Sequence, residues 1–143
     1  MIRVLIRRLV EGVPLPVYAR EGDAGMDLCA AEAATLAPGG RALVPTGIAV
    51  ALQEGHAGFV LPRSGLALRH GITVLNAPGL IDAGYRGEIK ILLVNHGDAP
   101  VTLARGDRIA QLVVQRVERA HCEHVDVLPA SDRGEGGFGS TGR

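Results

Sequence analysis

Five short polar segments carry the residue types of this chain that are best suited to chemistry. Two of them, Pro62–Ala67 and Arg133–Thr141, combine arginine and hydroxyl groups with glycines whose backbone N–H groups are accessible. Donors of these kinds bind phosphate oxygens, so anion binding is the chemistry that these two share. In chain order the segments are Ala24–Ala30, Pro62–Ala67, Gly79–Glu88, Arg105–Gln111 and Arg133–Thr141.

The segment Pro62–Ala67 has the pattern of an anion-binding nest. Arg63, Ser64 and the Gly65 amide follow one another at the predicted start of a short helix. Unpaired N–H groups and the helix dipole favour negative charge at such a position. A nucleophilic role for Ser64 is disfavoured, because no strand-turn-helix elbow motif surrounds it.

The segment Gly79–Glu88 contains a tight turn from Asp82 to Tyr85, in which Gly84 can take a positive φ. The hairpin that this turn predicts places a carboxylate and a phenol ring near each other. A structural interpretation is also open, because an aspartate in a turn often hydrogen-bonds its own backbone. The sequence just upstream, beginning at Asn76, has the same turn character.

The C-terminal stretch Ser131–Arg143 has the composition of a mobile tail. Phe138 is its one apolar residue, so the stretch buries too little apolar surface to order itself. Its glycines fit dinucleotide-binding and phosphate-loop patterns, but the strand, helix and lysine that those sites need are missing. Arg133 and the hydroxyls still suit phosphate oxygens, while Phe138 either lies in solvent or stacks on a flat ligand.

Two further groups bear on metal binding. Asp27 has no neighbouring carboxylate, so it cannot form an all-protein metal cage but could assist a phosphate-bound Mg²⁺ through water. His121, Cys122 and His124 lie close in sequence, yet no second cluster stands at ligand spacing. We therefore expect these three residues at an exposed strand end rather than at a metal.

The elements that must position these segments are short strands. Hydrophobic residues make up 47% of the chain and aromatic residues 3%, so the core is aliphatic, while twenty Gly and eight Pro disfavour long helices. Apolar runs separated by turn residues every 8–12 residues or so are typical of antiparallel sandwiches and barrels, which predicts an all-β domain. The one predicted helix is Gly65–Arg69. The predicted strands are Ile2–Ile6, Arg41–Val44, Gly47–Leu52, Gly58–Leu61, Gly71–Leu75, Glu88–Asn95, Val101–Leu103 and Ile109–Val117.

Charge and targeting signals exclude several functional classes. Fifteen acidic and fifteen basic residues give a net charge of zero, so neither nucleic acid nor an anionic membrane is an expected partner. The N-terminus lacks the apolar core of a secretory signal, and the apolar runs are too short to span a bilayer. Two cysteines form no disulfide framework. We therefore expect a cytoplasmic protein.

Taken together and in order, the five segments resemble the five motifs of the trimeric dUTPase family, the deoxyuridine triphosphate nucleotidohydrolases. The resemblance covers almost the whole chain. It implies a jelly-roll-like β-barrel over residues 1–130, a flexible lid over residues 131–143, and a homotrimer with active sites between subunits. It also implies Mg²⁺-dependent hydrolysis of dUTP to dUMP and pyrophosphate, which limits uracil incorporation into DNA and supplies dUMP for thymidylate synthesis.

The resemblance also gives individual residues a role by their position in the motifs. Asp82 would activate the water that attacks the α-phosphorus, Gln111 would help to fix that phosphate, and Asp27 would support Mg²⁺ through water. Tyr85 would lie under the deoxyribose, where a ribose 2′-hydroxyl would clash. The phosphates would be held by Arg63, Ser64 and Gly65. Uracil would be read by Asn76 and by the backbone of Leu80, Ile81 and Lys90. The lid residues, arriving from another subunit with the phenyl ring stacked on uracil, would be Arg133, Phe138, Gly139, Ser140 and Thr141.

Three alternatives compete with the hydrolase. A dCTP deaminase has the same fold, but it should lack the Asp82 and Tyr85 pair and the phenylalanine-containing tail. A non-catalytic trimeric binding or regulatory module would tolerate loss of Asp82 or of the lid, and this chain has kept both. Nucleic-acid binding through the Gly/Arg tail is weakly supported by one phenylalanine, two arginines and zero net charge.

Overall fold

The computed structural model describes residues 1–142, which form ten β-strands and one short α-helix. The elements are β1 (Leu5–Arg8), β2 (Met26–Cys29), β3 (Ala34–Leu36), β4 (Arg41–Ala51), β5 (His56–Leu61), α1 (Ser64–His70), β6 (Ile72–Val74), β7 (Gly79–Ile81), β8 (Glu88–Asn95), β9 (Val101–Leu103) and β10 (Arg108–Arg116). One four-stranded sheet has the order β1-β4-β8-β6, and a second has the order β2-β10-β5-β7. The strands β3 and β9 pair separately, and every pairing is antiparallel.

Aliphatic side chains from both four-stranded sheets form one hydrophobic core. Ile91 and Leu93 of β8 come from the first sheet, and Leu28 of β2 and Leu112 of β10 from the second, each almost fully buried. Burying such side chains stabilises a fold by about 1.5–3 kcal/mol each, which explains how the barrel forms without tryptophan. The predicted all-β, jelly-roll-like architecture is confirmed.

A bulge joins two predicted strands into the single long strand β4. Pairing with β8 breaks between Pro45 and Ala49, where three residues of β4 face only Ile89. Gly47 at the bulge has φ 69°, and a Cβ there would lie 2.9 Å from Val13 Cγ1. Only glycine meets both conditions without strain, so a residue that suggests a turn in the sequence instead bends a continuous strand.

Other predicted strand boundaries were wrong where backbone pairing with a neighbouring strand, rather than the run of apolar residues, sets the ends of the strand. The first strand is Leu5–Arg8 and not Ile2–Ile6, because its register is set by backbone bonds to β4 at the edge of the sheet. The strands β2, β3 and β7 were not predicted, although β9, which is equally short, was predicted with its observed bounds. The predicted helix exists and extends by one residue at each end, to Ser64 and His70.

After Arg116 the described chain contains no further strand or helix. Residues 118–135 are all exposed, and Val127 and Leu128 expose about four-fifths of their surface. No helix among residues 1–142 is long and apolar enough to cross a membrane.

Candidate active site

A surface cavity of about 750 Å³ lies where β2, β10 and β5 run side by side and α1 begins. The pairing register places Gln111 of β10 between Asp27 of β2 and Leu61 of β5, so three neighbouring strands contribute to one row. Its polar and charged lining residues are Arg20, Asp23, Asp27, Arg63, Ser64, Arg108 and Gln111, together with the backbone of Gly25 and Gly65. We call this space the arginine cavity.

Asp27 holds two of the three arginines of this cavity. Its Oδ1 lies 3.3 Å from Arg63 Nε and its Oδ2 lies 3.3 Å from Arg108 Nη1. The Asp27 side chain is 21% exposed, so these charges meet at the edge of the protein interior. Three arginines against Asp23 and Asp27 leave the cavity with one surplus positive charge. Such a lining favours an anion with several oxygen atoms.

Gln111 is oriented by its neighbours and keeps one polar atom available. Its Nε2 donates to the Pro62 carbonyl at 3.0 Å. A Cβ at position 25 would lie 2.9 Å from Gln111 Oε1, so Gly25 provides the room that the side chain occupies. At the start of α1, no side chain caps the helix, and Ser64 and Gly65 line the same cavity.

A second, smaller cavity of about 140 Å³ is formed by the segment that leads from β6 through β7 into β8. The strand β7 pairs with β5 in the second sheet, whereas β8 belongs to the first, so this hairpin bridges the two sheets. Its lining includes Asn76, Leu80, Ile81, Tyr85 and Lys90. We call this space the hairpin cavity. Its size suits one small planar ring.

The turn between β7 and β8 fixes Tyr85 on three sides. The Tyr85 N–H donates to the Asp82 carbonyl at 3.0 Å, and its Oη donates to the Glu88 carbonyl at 2.9 Å. A Cβ at position 87 would lie 2.6 Å from Tyr85 Cζ, so only Gly87 leaves room for the ring. The ring is therefore held in place although it remains 45% exposed.

Asp82 is exposed on this turn, and its carboxylate accepts no hydrogen bond from any of residues 1–142. Two other turn aspartates differ, because Asp23 accepts from the Arg20 N–H and Asp107 from the Ala104 N–H. The side chain of Asp82 makes no such turn-stabilising bond. Its carboxylate is therefore free to act on a ligand or a water molecule.

The tail, residues 131–142, is folded into successive turns whose hydrogen bonds all lie within it. Arg133 Nε donates to the Gly136 carbonyl at 2.7 Å. Phe138 has φ 51° and a fully exposed ring. The tail therefore presents an aromatic face without hydrogen bonds to the barrel of its own chain.

The residues singled out in the sequence fall into three separate groups. One group lines the arginine cavity, a second lines the hairpin cavity, and the third is the tail. Asp82 lines neither of the two cavities, although its turn borders the hairpin cavity through Tyr85. A single chain thus carries all the groups but does not bring them around one ligand.

Comparison with known proteins decides the family of the chain. The family model described as dUTPase matches residues 11–142. The chain belongs to the dUTPase family. It is 66% identical over 142 residues to the deoxyuridine 5′-triphosphate nucleotidohydrolase of Thermobifida fusca, a match that covers 99% of this chain and 79% of that relative.

Solved dUTPase structures share the fold over nearly the whole length. The dUTPase of Staphylococcus bacteriophage 80alpha, solved with dUpNHpp, superposes with a TM-score of 0.92 at 28% identity and covers 99% of both chains. The D95N mutant dUTPase of the S. aureus phage phi11, described as coordinating a structural Mg(II) ion, has a TM-score of 0.81 at 26% identity. That match covers 87% of this chain and 97% of the phage chain.

Membership of the dUTPase family confirms the predicted activity. The chain is a dUTP diphosphatase, an enzyme that hydrolyses dUTP to dUMP and pyrophosphate. The sequence left three alternatives open: a deaminase, a non-catalytic module and a nucleic-acid-binding protein. The named relatives are nucleotidohydrolases and therefore support the hydrolase.

Two residues of the arginine cavity, Arg20 and Arg108, were given no role from the sequence. Arg108 lies inside a segment that the sequence singled out, but nothing in the sequence indicates its ion pair with Asp27 across β2 and β10. Arg20 precedes the first of the five segments and is brought to the cavity by a turn in which Asp23 accepts its N–H.

The two cysteines are free, and they differ in their surroundings. Burial raises the pKa of the Cys29 thiol, and the nearby Asp27 carboxylate raises that pKa further. Cys122 is exposed together with His121 and His124, which lie beyond the end of β10 rather than at a strand end. Among residues 1–142 no three histidine, cysteine, aspartate or glutamate side chains are grouped as a metal site.

Proposed function

We propose that this dUTP diphosphatase works as a homotrimer in which each active site combines the hairpin cavity, the arginine cavity and the tail of different subunits. One observation carries this proposal: the three groups of functional residues do not share a cavity within one chain. Exposed Val125, Val127 and Leu128 also leave apolar surface for another copy to cover. Closed symmetric assemblies bury such surfaces in repeated interfaces.

In the proposed mechanism Asp82 is the general base. Its unbonded carboxylate takes a proton from the water that attacks the α-phosphorus, and the bond from that phosphorus to the oxygen bridging to the β-phosphate breaks. The products are dUMP and pyrophosphate. A well-placed base contributes about 10²–10⁴-fold to such a rate, and the remaining acceleration comes from positioning and charge stabilisation.

The arginine cavity is the proposed phosphate site. Arg63, Ser64 and the Gly65 N–H hold phosphate oxygens, and the surplus positive charge of the cavity favours a polyphosphate over a neutral ligand. Gln111, steadied by its bond to the Pro62 carbonyl, orients the α-phosphate and the attacking water. Fixed donors of this kind stabilise the developing charge without having to reorganise.

Mg²⁺ fits this site as an ion that arrives with the phosphates. The described residues offer no protein cage for a cation, and Asp27 is the carboxylate best placed to approach one. Two carboxylate oxygens offer about four lone-pair positions, so the two ion pairs leave acceptors for a metal-bound water. When bound, the ion neutralises charge on the phosphate oxygens.

The hairpin cavity is the proposed site for the base and the sugar. Asn76 and the backbone of Leu80, Ile81 and Lys90 read the edge of uracil, and a cavity of about 140 Å³ leaves little room for larger substituents. The fixed Tyr85 ring lies under the deoxyribose, where a 2′-hydroxyl would clash. Rejection by shape and by unpaired polar groups is how such pockets discriminate.

The tail from residue 131 onward is the proposed lid. Phe138 stacks on uracil, while Arg133, Gly139, Ser140 and Thr141 close over the phosphates of a neighbouring subunit. Closing a lid excludes water and commits the substrate.

We place the enzyme in the cytoplasm, where free thiols such as Cys29 are usual.

Pyrophosphate release tests this function directly. The purified enzyme is assayed with dUTP, dCTP, dTTP and UTP, each with and without Mg²⁺. We expect release from dUTP at a rate at least about a hundredfold above the other nucleotides, and a marked loss without Mg²⁺. Equal release from UTP would contradict the role of Tyr85, and ammonia release from dCTP would favour the deaminase.

A further inference from the structure

The carboxylate of Glu88 ties the start of β8 to the bulge in β4. Glu88 Oε1 accepts the Gly47 N–H at 2.9 Å, and beside it Thr46 Oγ1 donates to the Ile89 carbonyl at 2.6 Å. The backbone ladder between β4 and β8 is interrupted opposite Ile89 and resumes where Ala49 pairs with Glu88, so these two side chains add bonds across the bulge. The main chain at Glu88 is therefore held by its pairing with Ala49 and, in addition, by its own side chain.

That main chain is the support of the Tyr85 ring. The Glu88 carbonyl accepts Tyr85 Oη at 2.9 Å, and the close approach of Gly87 leaves the ring no other position on that side. Glu88 is partly buried, with 21% of its side chain exposed, whereas the tyrosine is about half exposed. The residue whose carbonyl accepts the tyrosine hydroxyl is thus better buried than the ring.

We propose that Glu88 is a positioning residue for sugar discrimination, because its carboxylate, bound at Gly47, holds the carbonyl that fixes Tyr85. The inference rests on the proposed role of Tyr85 under the deoxyribose. When the anchor is removed, the start of β8 and the ring move away from the sugar. Space for a 2′-hydroxyl then opens, while the catalytic turn at Asp82 keeps its own backbone bond to Tyr85.

The ratio of kcat/KM for dUTP to kcat/KM for UTP measures this effect. Both substrates are tested on the same preparation, so a loss of folded enzyme cancels in the ratio. We expect Glu88→Ala to lower the ratio by about tenfold. Glu88→Gln should restore it to near the unmodified value, because the amide oxygen still accepts the Gly47 N–H. Failure of glutamine to restore it would overturn the proposed bond.

A matched control separates this bond from general charge effects. Glu32 is an exposed carboxylate that lines the same surface cavity of about 480 Å³ as Glu88. Glu32→Ala should leave the ratio unchanged. An equal fall in Glu32→Ala and Glu88→Ala would overturn the inference, since the loss of negative charge alone would then explain both.

A double-mutant cycle with Tyr85 distinguishes a failure of this inference from a failure of the proposed role of Tyr85, on which the inference rests. Tyr85→Phe removes the Oη donor, so Glu88→Ala should lower the ratio no further in that background. An undiminished additional fall would overturn the inference. If Tyr85→Ala itself leaves the ratio unchanged, the proposed role of Tyr85 fails. If Tyr85→Ala lowers the ratio and Glu88→Ala does not, only the role of Glu88 fails.

Discussion

At the scale of single residues, three aspartates differ in what binds their carboxylates. Asp107 binds the Ala104 N–H at 2.8 Å and so stabilises its own turn, whereas the carboxylate of Asp82 is exposed and accepts no bond from the described chain. Asp27 lies between these cases, since two arginines hold it at the edge of the arginine cavity. Three aspartates in polar turns or strand starts thus have three different surroundings.

Replacing the carboxylate of Asp82 tests the general base. Asp82→Asn should lower kcat by about 10²–10⁴-fold because an amide does not take a proton from water. Binding of dUTP should change little, and the thermal midpoint should stay within about 2 °C, because no bond of the turn is lost. Single-turnover kinetics and calorimetric titration with dUTP measure the two effects.

The matched control for this change is Asp98→Asn, since Asp98 is another exposed loop aspartate, located between β8 and β9. It should leave turnover unchanged. Near-normal turnover in Asp82→Asn would show that another group activates the water.

At the scale of elements, two glycines with the same backbone conformation allow the cost of backbone strain to be distinguished from the cost of overpacking. Gly47 and Gly55 have φ 69° and 78°, but a Cβ at Gly47 would meet Val13 at 2.9 Å, while nothing lies within 4 Å at Gly55. The left-handed conformation alone costs an alanine about 1–2 kcal/mol. Overpacking adds about 1–3 kcal/mol at Gly47 only.

We therefore expect Gly47→Ala to lower the free energy of unfolding by more than Gly55→Ala does, by about 1–3 kcal/mol. Urea denaturation at one fixed protein concentration measures both variants, because association adds to the apparent stability. Equal losses would mean that β4 relaxes at the bulge and that packing there is loose.

The elements also show how far sequence reasoning reaches. The long strand β8 was predicted with its observed bounds, because an apolar, β-branched run flanked by turn residues is typical of a single strand that ends at the turns. The bulge in β4 was not, since Gly47 has the same sequence signal in a turn and in a bent strand. The three-residue strands β3 and β7 were not predicted, although β9, the partner of β3, was predicted from its own residues.

For the site, the motif segments were predictable and their grouping was not. Gln111 and Asp27 were singled out separately, and only the register of β10 with β2 places them side by side. The ion pair of Arg108 with Asp27 joins residues 81 positions apart, so no spacing pattern in the sequence indicates it. Long-range pairing is the information that the sequence pattern lacks.

At the scale of the whole molecule, the proposed active site joins the tail and the two cavities across subunits. Residues 131–142 make no hydrogen bond to the barrel of their own chain, and Phe138 is fully exposed. Deleting residues 131–143 should therefore leave the thermal midpoint within about 2 °C while activity falls at least a hundredfold. A steep fall in the midpoint would instead make the tail a structural element.

The measurement that tests the shared active site most directly combines this truncated chain with Asp82→Asn in mixed trimers. Each variant alone is inactive, but the full-length variant supplies tails and the truncated one supplies Asp82. In every cyclic trimer that contains both variants, one of the three sites combines an intact Asp82 with an intact tail from another subunit, so about one third of the sites in mixed trimers are complete. We expect the doubly tagged, co-purified trimers to regain activity of about this order for dUTP. Mixed trimers that stay as inactive as their parents would show that the tail serves its own chain, and the account of a shared site would be wrong.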